Sequence, residues 1–182
     1  DAVGVTHAVI APRHDAAMGE YATAHCPSRL SRVVMLDPNA DAETQVSRAK
    51  ATIGVVGLRM VAADYIGTRG AADLRAGKLD PLFAAAERHA LPLFLLAPGH
   101  PADLARPAER FSGLTMIVDH FGLRQYPPLA MDSDPWEKLP GLLALAGFSN
   151  VAVKFCGAQL LSKQPYPHAD VIPILRRVIG AF

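Results

Sequence analysis

Residues 114–122 read Leu-Thr-Met-Ile-Val-Asp-His-Phe-Gly, an apolar run that stops at the charged pair Asp119 and His120 and then at a glycine. A continuous apolar run of this kind reads as a strand covered on both faces, as in parallel sheets. Polar side chains at the carboxyl end of such a strand stand where α/β proteins bind ligands. His120 titrates near neutrality when unperturbed, so it suits a general base or acid, and equally a metal ligand. The plainer alternative is a half-buried histidine that only hydrogen-bonds a neighbouring loop.

Other polar groups fall at comparable places. Run 55–59 ends at Arg59, run 151–155 carries Lys154 between Val153 and Phe155, and His100 follows Pro98 and Gly99 just past run 91–96. Arg13 and His14 follow the first apolar run. A lysine inside a buried strand needs a partner or a ligand, because burying its charge alone is very costly. Arg59, Lys154 and His120 converging on one mouth make a pocket for a carboxylate or another oxyanion, with His100 able to reach the same mouth. The competing reading pairs Lys154 with Asp119 and gives Arg59 to a loop-tethering ion pair. The remaining histidines (His7, His25, His89 and His168) show no His-x-His or His-Glu-x-x-His spacing, so no metal centre is spelled out. Cys156, at a strand end, reads as a small core residue.

Elements that could position these groups alternate along the chain. Strand patterns fall at residues 3–10, 30–36, 55–59, 91–96, 115–119 and 151–155. Helix patterns fall at residues 16–26, 41–51, from 80 to about 90, 101–110, 136–146 and 169–179. Asp15 and Asp41 suit N-caps, and Asp80-Pro81 has helix-opening chemistry. Pro107 predicts a break inside its helix. Residues 60–78, with three glycines, read as a long irregular and functional loop. Six βα units imply a parallel sheet in one domain. An open doubly wound sheet and part of an eight-stranded (β/α)8 TIM barrel both fit. No glycine-rich phosphate loop follows the first strand, which argues against a dinucleotide or ATP protein.

Composition bounds the function classes. The chain has 182 residues, 51% hydrophobic and 19% charged, which is globular and long enough for a sizeable core. A net charge of +1, from 18 basic and 17 acidic residues, offers no electrostatic case for nucleic acid. The longest apolar stretches are too short to span a bilayer. Two cysteines far apart and no secretory leader pattern lead to an expectation of a reduced, cytoplasmic enzyme.

Four stretches together carry a family resemblance: Val56-Gly57-Leu58-Arg59, Asp80-Pro81-Leu82-Phe83, residues 117–122 (Ile-Val-Asp-His-Phe-Gly) and residues 150–157 (Asn-Val-Ala-Val-Lys-Phe-Cys-Gly). In order and spacing the chain resembles the amidohydrolase-related family, the lactonase-like branch of metal-dependent TIM-barrel hydrolases. The resemblance implies that the six units are the second to seventh of a barrel. It implies that His120 is the sixth-strand catalytic histidine and that Arg59 and Lys154 hold substrate at the mouth. The first-strand His-x-His and the eighth-strand Trp-Gly-Ser-Asp motif of the family are expected outside these 182 residues, which by themselves are then expected to be nearly inactive. A fifth-strand histidine is missing near Leu96 and Ala97, with only His100 close by. One divalent metal, zinc, fits the family, and metal-independent members exist too. The implied activity is hydrolysis of a lactone or another carboxylate-bearing cyclic ester or amide. An eighth-strand aspartate would be the base, with His120 and the cations polarising the carbonyl or holding the substrate carboxylate. The alternatives are a decarboxylase of the same superfamily, or a non-catalytic half-barrel or anion-binding module that could pair with further copies through its strand edges.

Overall fold

The computed structural model describes residues 4–11, 16–64, 69–125 and 132–182. Strands β1 (Ala8–Ile10), β2 (Leu30–Met35), β3 (Val55–Val61), β4 (Leu93–Leu96), β5 (Met116–Val118) and β6 (Val151–Val153) form one parallel sheet in sequential order. That order decides between the two architectures. A doubly wound sheet reverses its strand order at a switch point, whereas sequential strands with right-handed crossovers keep every helix on one face and curl into a barrel arc. The sheet is six strands of a (β/α)8 TIM barrel.

The helices on the outer face are α1 (Ala16–His25), α2 (Ala42–Ala51), α3 (Gly70–Arg75), α4 (Asp80–Arg88), α5 (Ala105–Arg110), α6 (Leu139–Ala144) and α7 (Ile172–Ala181). Asp41 caps α2 as its sequence suggests, its carboxylate accepting from the Thr44 amide at 2.8 Å. Asp80 opens α4 and accepts from Arg106 at 2.7 and 2.9 Å and from Arg110 at 2.7 Å, so one carboxylate ties α4 to α5. The core lies between sheet and helices: Leu58, Met60, Leu93, Leu95, Met116 and Val118 alternate outward and pack, fully buried, with Phe83, Leu104 and Leu142. The opposite, inner face carries Arg59, Phe94, Ile117 and Ala152 at one level of the register. Phe94 and Ile117 are half-buried there and Ala152 is exposed. The strands are therefore closed on their helix side and open on their inner side, unlike the two-sided burial their apolar runs suggest.

Three local expectations change. The stretch 60–78 holds the last two residues of β3 and all of α3, and residues 65–68 within it lie outside the described residues. The break around Pro107 comes earlier, as a 3-10 turn at Pro101–Leu104 before α5. Pro107 is the third residue of α5, in the first turn, where proline is tolerated. Strand β1 starts only at Ala8, because the Val5 and Thr6 carbonyls accept from the Arg29 guanidinium, each at 3.1 Å, instead of from a neighbouring strand. Asp15 lies outside the described residues. Among the described residues, no helix is long and apolar enough to cross a membrane.

Asn150 sets the approach to β6. Its side-chain amide donates to the carbonyls of Ala108, Phe111 and Leu114, each at 3.1 Å, tying the end of α5 and the entry to β5 to the entry to β6. Asn150→Ala strips part-buried carbonyls of their donor and is expected to cost about 1–3 kcal/mol in urea denaturation; a loss below a few tenths of a kcal/mol would show that water replaces it.

Candidate active site at the carboxyl ends of the strands

The site is built where β3, β5 and β6 end. Asp119 follows β5 directly and its side chain is completely buried. Its Oδ2 accepts from Arg59 Nε at 2.9 Å and its Oδ1 faces Lys154 Nζ at 3.2 Å. Arg59 comes from β3 and Lys154 from the residue just past β6, so one carboxylate bridges strands that are not neighbours. Arg59 is 8% exposed and Lys154 36%, which makes the ammonium the accessible cation of the pair. Lys154 Nζ also stands 6.0 Å from the ring centroid of Phe94, which places its head over the inner face.

The chain turns sharply after Asp119. His120 and Phe121 adopt left-handed backbone angles, φ 54° and 60°. Side chains rarely take that conformation, and each instance costs on the order of 1–3 kcal/mol unless its surroundings hold it. They are held here: Phe121 is fully buried and meets Phe155 edge-on at 5.2 Å, and the His120 carbonyl accepts from the Gln125 side chain at 3.2 Å. His120 is half-buried, and its Nδ1 lies 3.1 Å from Gln125 Oε1 and 3.2 Å from Cys156 Sγ. Burial holds the His120 pKa below the ordinary histidine value; the Asp119 carboxylate pulls it back up, while Lys154 and Arg59 push it further down. The ring is therefore neutral at neutral pH.

Among the sequence candidates, Arg59, Lys154 and His120 gather around Asp119 within this one cluster. The ion pair weighed for Lys154 is present, and Arg59 spends its Nε on the same carboxylate. His100 belongs to a second polar group. It opens the 3-10 turn at Pro101–Leu104 with Nδ1 3.6 Å from Asp103 Oδ2, and Arg75 pairs with that same oxygen at 2.9 Å. Burial lowers the His100 pKa, with Asp103, Arg75, Arg124 and Asp64 as the charges acting on it. Arg13 and His14 lie outside the described residues. Gln125 is the residue that sequence reading misses. It is 3% exposed and reaches His120 and Cys156 at once, yet an amide five positions past a histidine carries no signal in a linear pattern. Cys156, read as core, is half-buried against the imidazole.

A divalent metal asks for several histidine, cysteine or carboxylate donors aimed at one point. Among the described residues no three such side chains stand together, and both Asp119 oxygens face cations. The described donor set does not fit a metal.

The family described as Amidohydrolase matches residues 1–182. The chain belongs to the amidohydrolase family. Among solved structures it is similar to a protein from Pseudomonas putida named as a 2-pyrone-4,6-dicarboxylic acid hydrolase, with 24% identity and a TM-score of 0.67 over 99% of this chain and 63% of the other. It is similar to an amidohydrolase from Burkholderia multivorans with bound zinc, with 15% identity and a TM-score of 0.72 over 99% and 64%. A third is a 5-carboxyvanillate decarboxylase from Novosphingobium aromaticivorans with bound manganese, with 16% identity and a TM-score of 0.57 over 99% and 66%. At these identities the likeness establishes the barrel fold, and this amidohydrolase chain spans about two thirds or less of each relative's length. No curated protein matches the chain.

Two outcomes follow for this amidohydrolase. Asp119→Ala leaves the nearly buried Arg59 cation without its carboxylate and is expected to destabilise the fold by about 3–5 kcal/mol, read from a denaturation midpoint. His100 and His120 both have lowered folded pKa values, so below about 6.5 the unfolded chain takes up protons that the folded chain refuses. Their contribution is full above that pH and is lost as pH falls through it toward the lower folded values. Replacing both by asparagine should flatten the stability–pH curve in that window; an unchanged slope would place its source elsewhere.

Proposed function

We propose that this chain carries the anion-holding and proton-transfer part of an amidohydrolase that opens a carboxylate-bearing lactone, of the chemical type of 2-pyrone-4,6-dicarboxylate. The observation that carries the reading is the group of Lys154, Arg59 and Asp119 beside His120, at the carboxyl ends of the barrel strands, where this fold places its chemistry. Two cations against one carboxylate leave net positive charge in a half-buried site. A substrate carboxylate docks on the accessible Lys154 ammonium as a charge-assisted hydrogen bond. Arg59, nearly buried, keeps Asp119 and through it Lys154 in place. The neutral His120 imidazole takes a proton from the attacking water. The water oxygen bonds to the ring carbonyl carbon, the ring C–O bond breaks, and the proton passes to the leaving ring oxygen. Metals in solved relatives make a divalent ion compatible with the family, and in this chain such an ion needs ligands beyond the described residues.

Decarboxylation of an aromatic acid is the second reading. The likeness to the carboxyvanillate decarboxylase supports it, and the same cations suit an aryl carboxylate.

The test is turnover by the intact natural protein on a pyrone dicarboxylate, followed by loss of ring absorbance, beside CO₂ release from a carboxylated phenol. Lys154→Met should raise KM for the lactone about tenfold or more, the size of one lost charge-assisted contact. His120→Asn should lower kcat about 10²–10⁴-fold. CO₂ release without ring opening selects the decarboxylase; neither activity, or full activity in both variants, ends the reading.

A further inference from the structure

We propose that Gln125 is a positioning residue that locks His120 in the tautomer with its proton on Nδ1 and its lone pair on Nε2. The catalytic consequence of that tautomer rests on the proton-transfer role given to His120 above; the tautomer itself does not.

The argument starts from which atoms can only accept. Gln125 Nε2 lies 3.2 Å from the carbonyl oxygen of His120 and 3.2 Å from that of Cys156. Carbonyl oxygens accept and never donate, so both require the amide's NH₂ group and the amide cannot be turned over. Its oxygen is thereby directed at His120 Nδ1, at 3.1 Å. An amide oxygen also only accepts. A bare Nδ1 would set two lone pairs against each other in a buried place, so Nδ1 must bear the proton. A neutral imidazole carries one N–H, which leaves Nε2 as its accepting atom. Cys156 Sγ, 3.2 Å from the same Nδ1, adds a weak acceptor on the side that already donates.

The neighbourhood is shaped around that amide. Gly157 has φ +76°, and a Cβ built there would lie 1.9 Å from Gln125 Oε1. Any side chain at 157 would push the amide oxygen off its place. The amide thus joins the turn after β5 to Cys156, two residues past Lys154, two segments 31 residues apart that both belong to the cluster. Asp119, Lys154 and Arg59 are the charges acting on the ring, and burial keeps it neutral.

The consequence is a division of labour between ring nitrogens. With the proton held on Nδ1, the neutral ring cannot donate from Nε2 to polarise a carbonyl; it accepts a proton from water there. The polarising role that the family resemblance implies then passes to other groups.

Imidazole nitrogen NMR on the intact natural protein, with isotope-labelled histidine, reads the tautomer directly. His120 is assigned by the signal that vanishes in His120→Asn. Above the histidine titration range, Nδ1 should show the protonated shift and Nε2 the unprotonated one. Gln125→Leu should move the population toward Nε2–H, and Gly157→Ala should do the same by displacing the amide. In turnover, Gln125→Leu should lower kcat at least about tenfold with KM little changed, since a mis-set tautomer costs chemistry and not binding. Nε2–H in the unaltered protein overturns the proposal even if every variant fails to fold. A Nδ1–H ring combined with full activity in His120→Asn supports the positioning role and removes the catalytic reading instead.

Discussion

A carboxylate with no exposed surface is tolerable only if its charge is answered in place, and that requirement organises this end of the barrel. Asp119 is answered twice, by Arg59 from β3 and by Lys154 from the end of β6. The first pairing joins residues 60 apart in sequence and the second residues 35 apart. A one-residue slip of any of these strands would turn its cation or its acid toward the helices, where Leu58, Met60, Met116 and Val118 are packed without polar partners. The cluster therefore specifies register as well as charge. It also spans β4, whose Phe94 lies beneath the lysine head, so four successive strands are committed to one arrangement.

The behaviour of His120 follows from its place next to that carboxylate. Because Asp119 is held inward, the chain must reverse within three residues, and His120 and Phe121 take left-handed angles to do so. The turn is held by burial of Phe121 and by the Gln125 amide, not by local preference. It sets the imidazole between an acid that favours its charge and two cations and a half-buried setting that oppose it. The opposing influences prevail, so the ring is a neutral base and not a fixed cation. The permanent positive charge of the site resides on Lys154 and Arg59.

Membership of the amidohydrolase family leaves the reaction open, because one barrel supports many chemistries by varying its strand ends. On the proposed reading, what this chain contributes to the choice is a way of handling anions. A lysine head over an aromatic ring on an open inner face suits a flat carboxylated ring, and both ring opening and loss of CO₂ begin from such a substrate. They part at the bond that breaks, and the role proposed for His120 beside Lys154 and Arg59 suits attack by water.

Several levels were legible in the residues alone. Alternating apolar runs and helix-start residues spelled six βα units, because strand and helix periodicities are local and a cap such as Asp41 acts within a few residues. The polar residues closing those runs, Arg59, Asp119, His120 and Lys154, could be singled out because a charge at the end of a buried strand needs a partner. The family could be named from four ordered stretches, and the family match bears that out. Other matters were decided only in three dimensions. Barrel against open sheet depends on strand order, which no local pattern encodes. The pairing of His100 with Asp103 depends on where a 3-10 turn points, and the short helix α3 emerged from a stretch too glycine-rich to read as one. Gln125 was invisible because its importance lies in two backbone carbonyls and one imidazole that come together only after β5 and β6 have paired. The sequence by itself determined which groups could be charged and which segments had to be strands; tertiary structure decided which charges meet, because that follows from register and curvature across residues far apart in the chain.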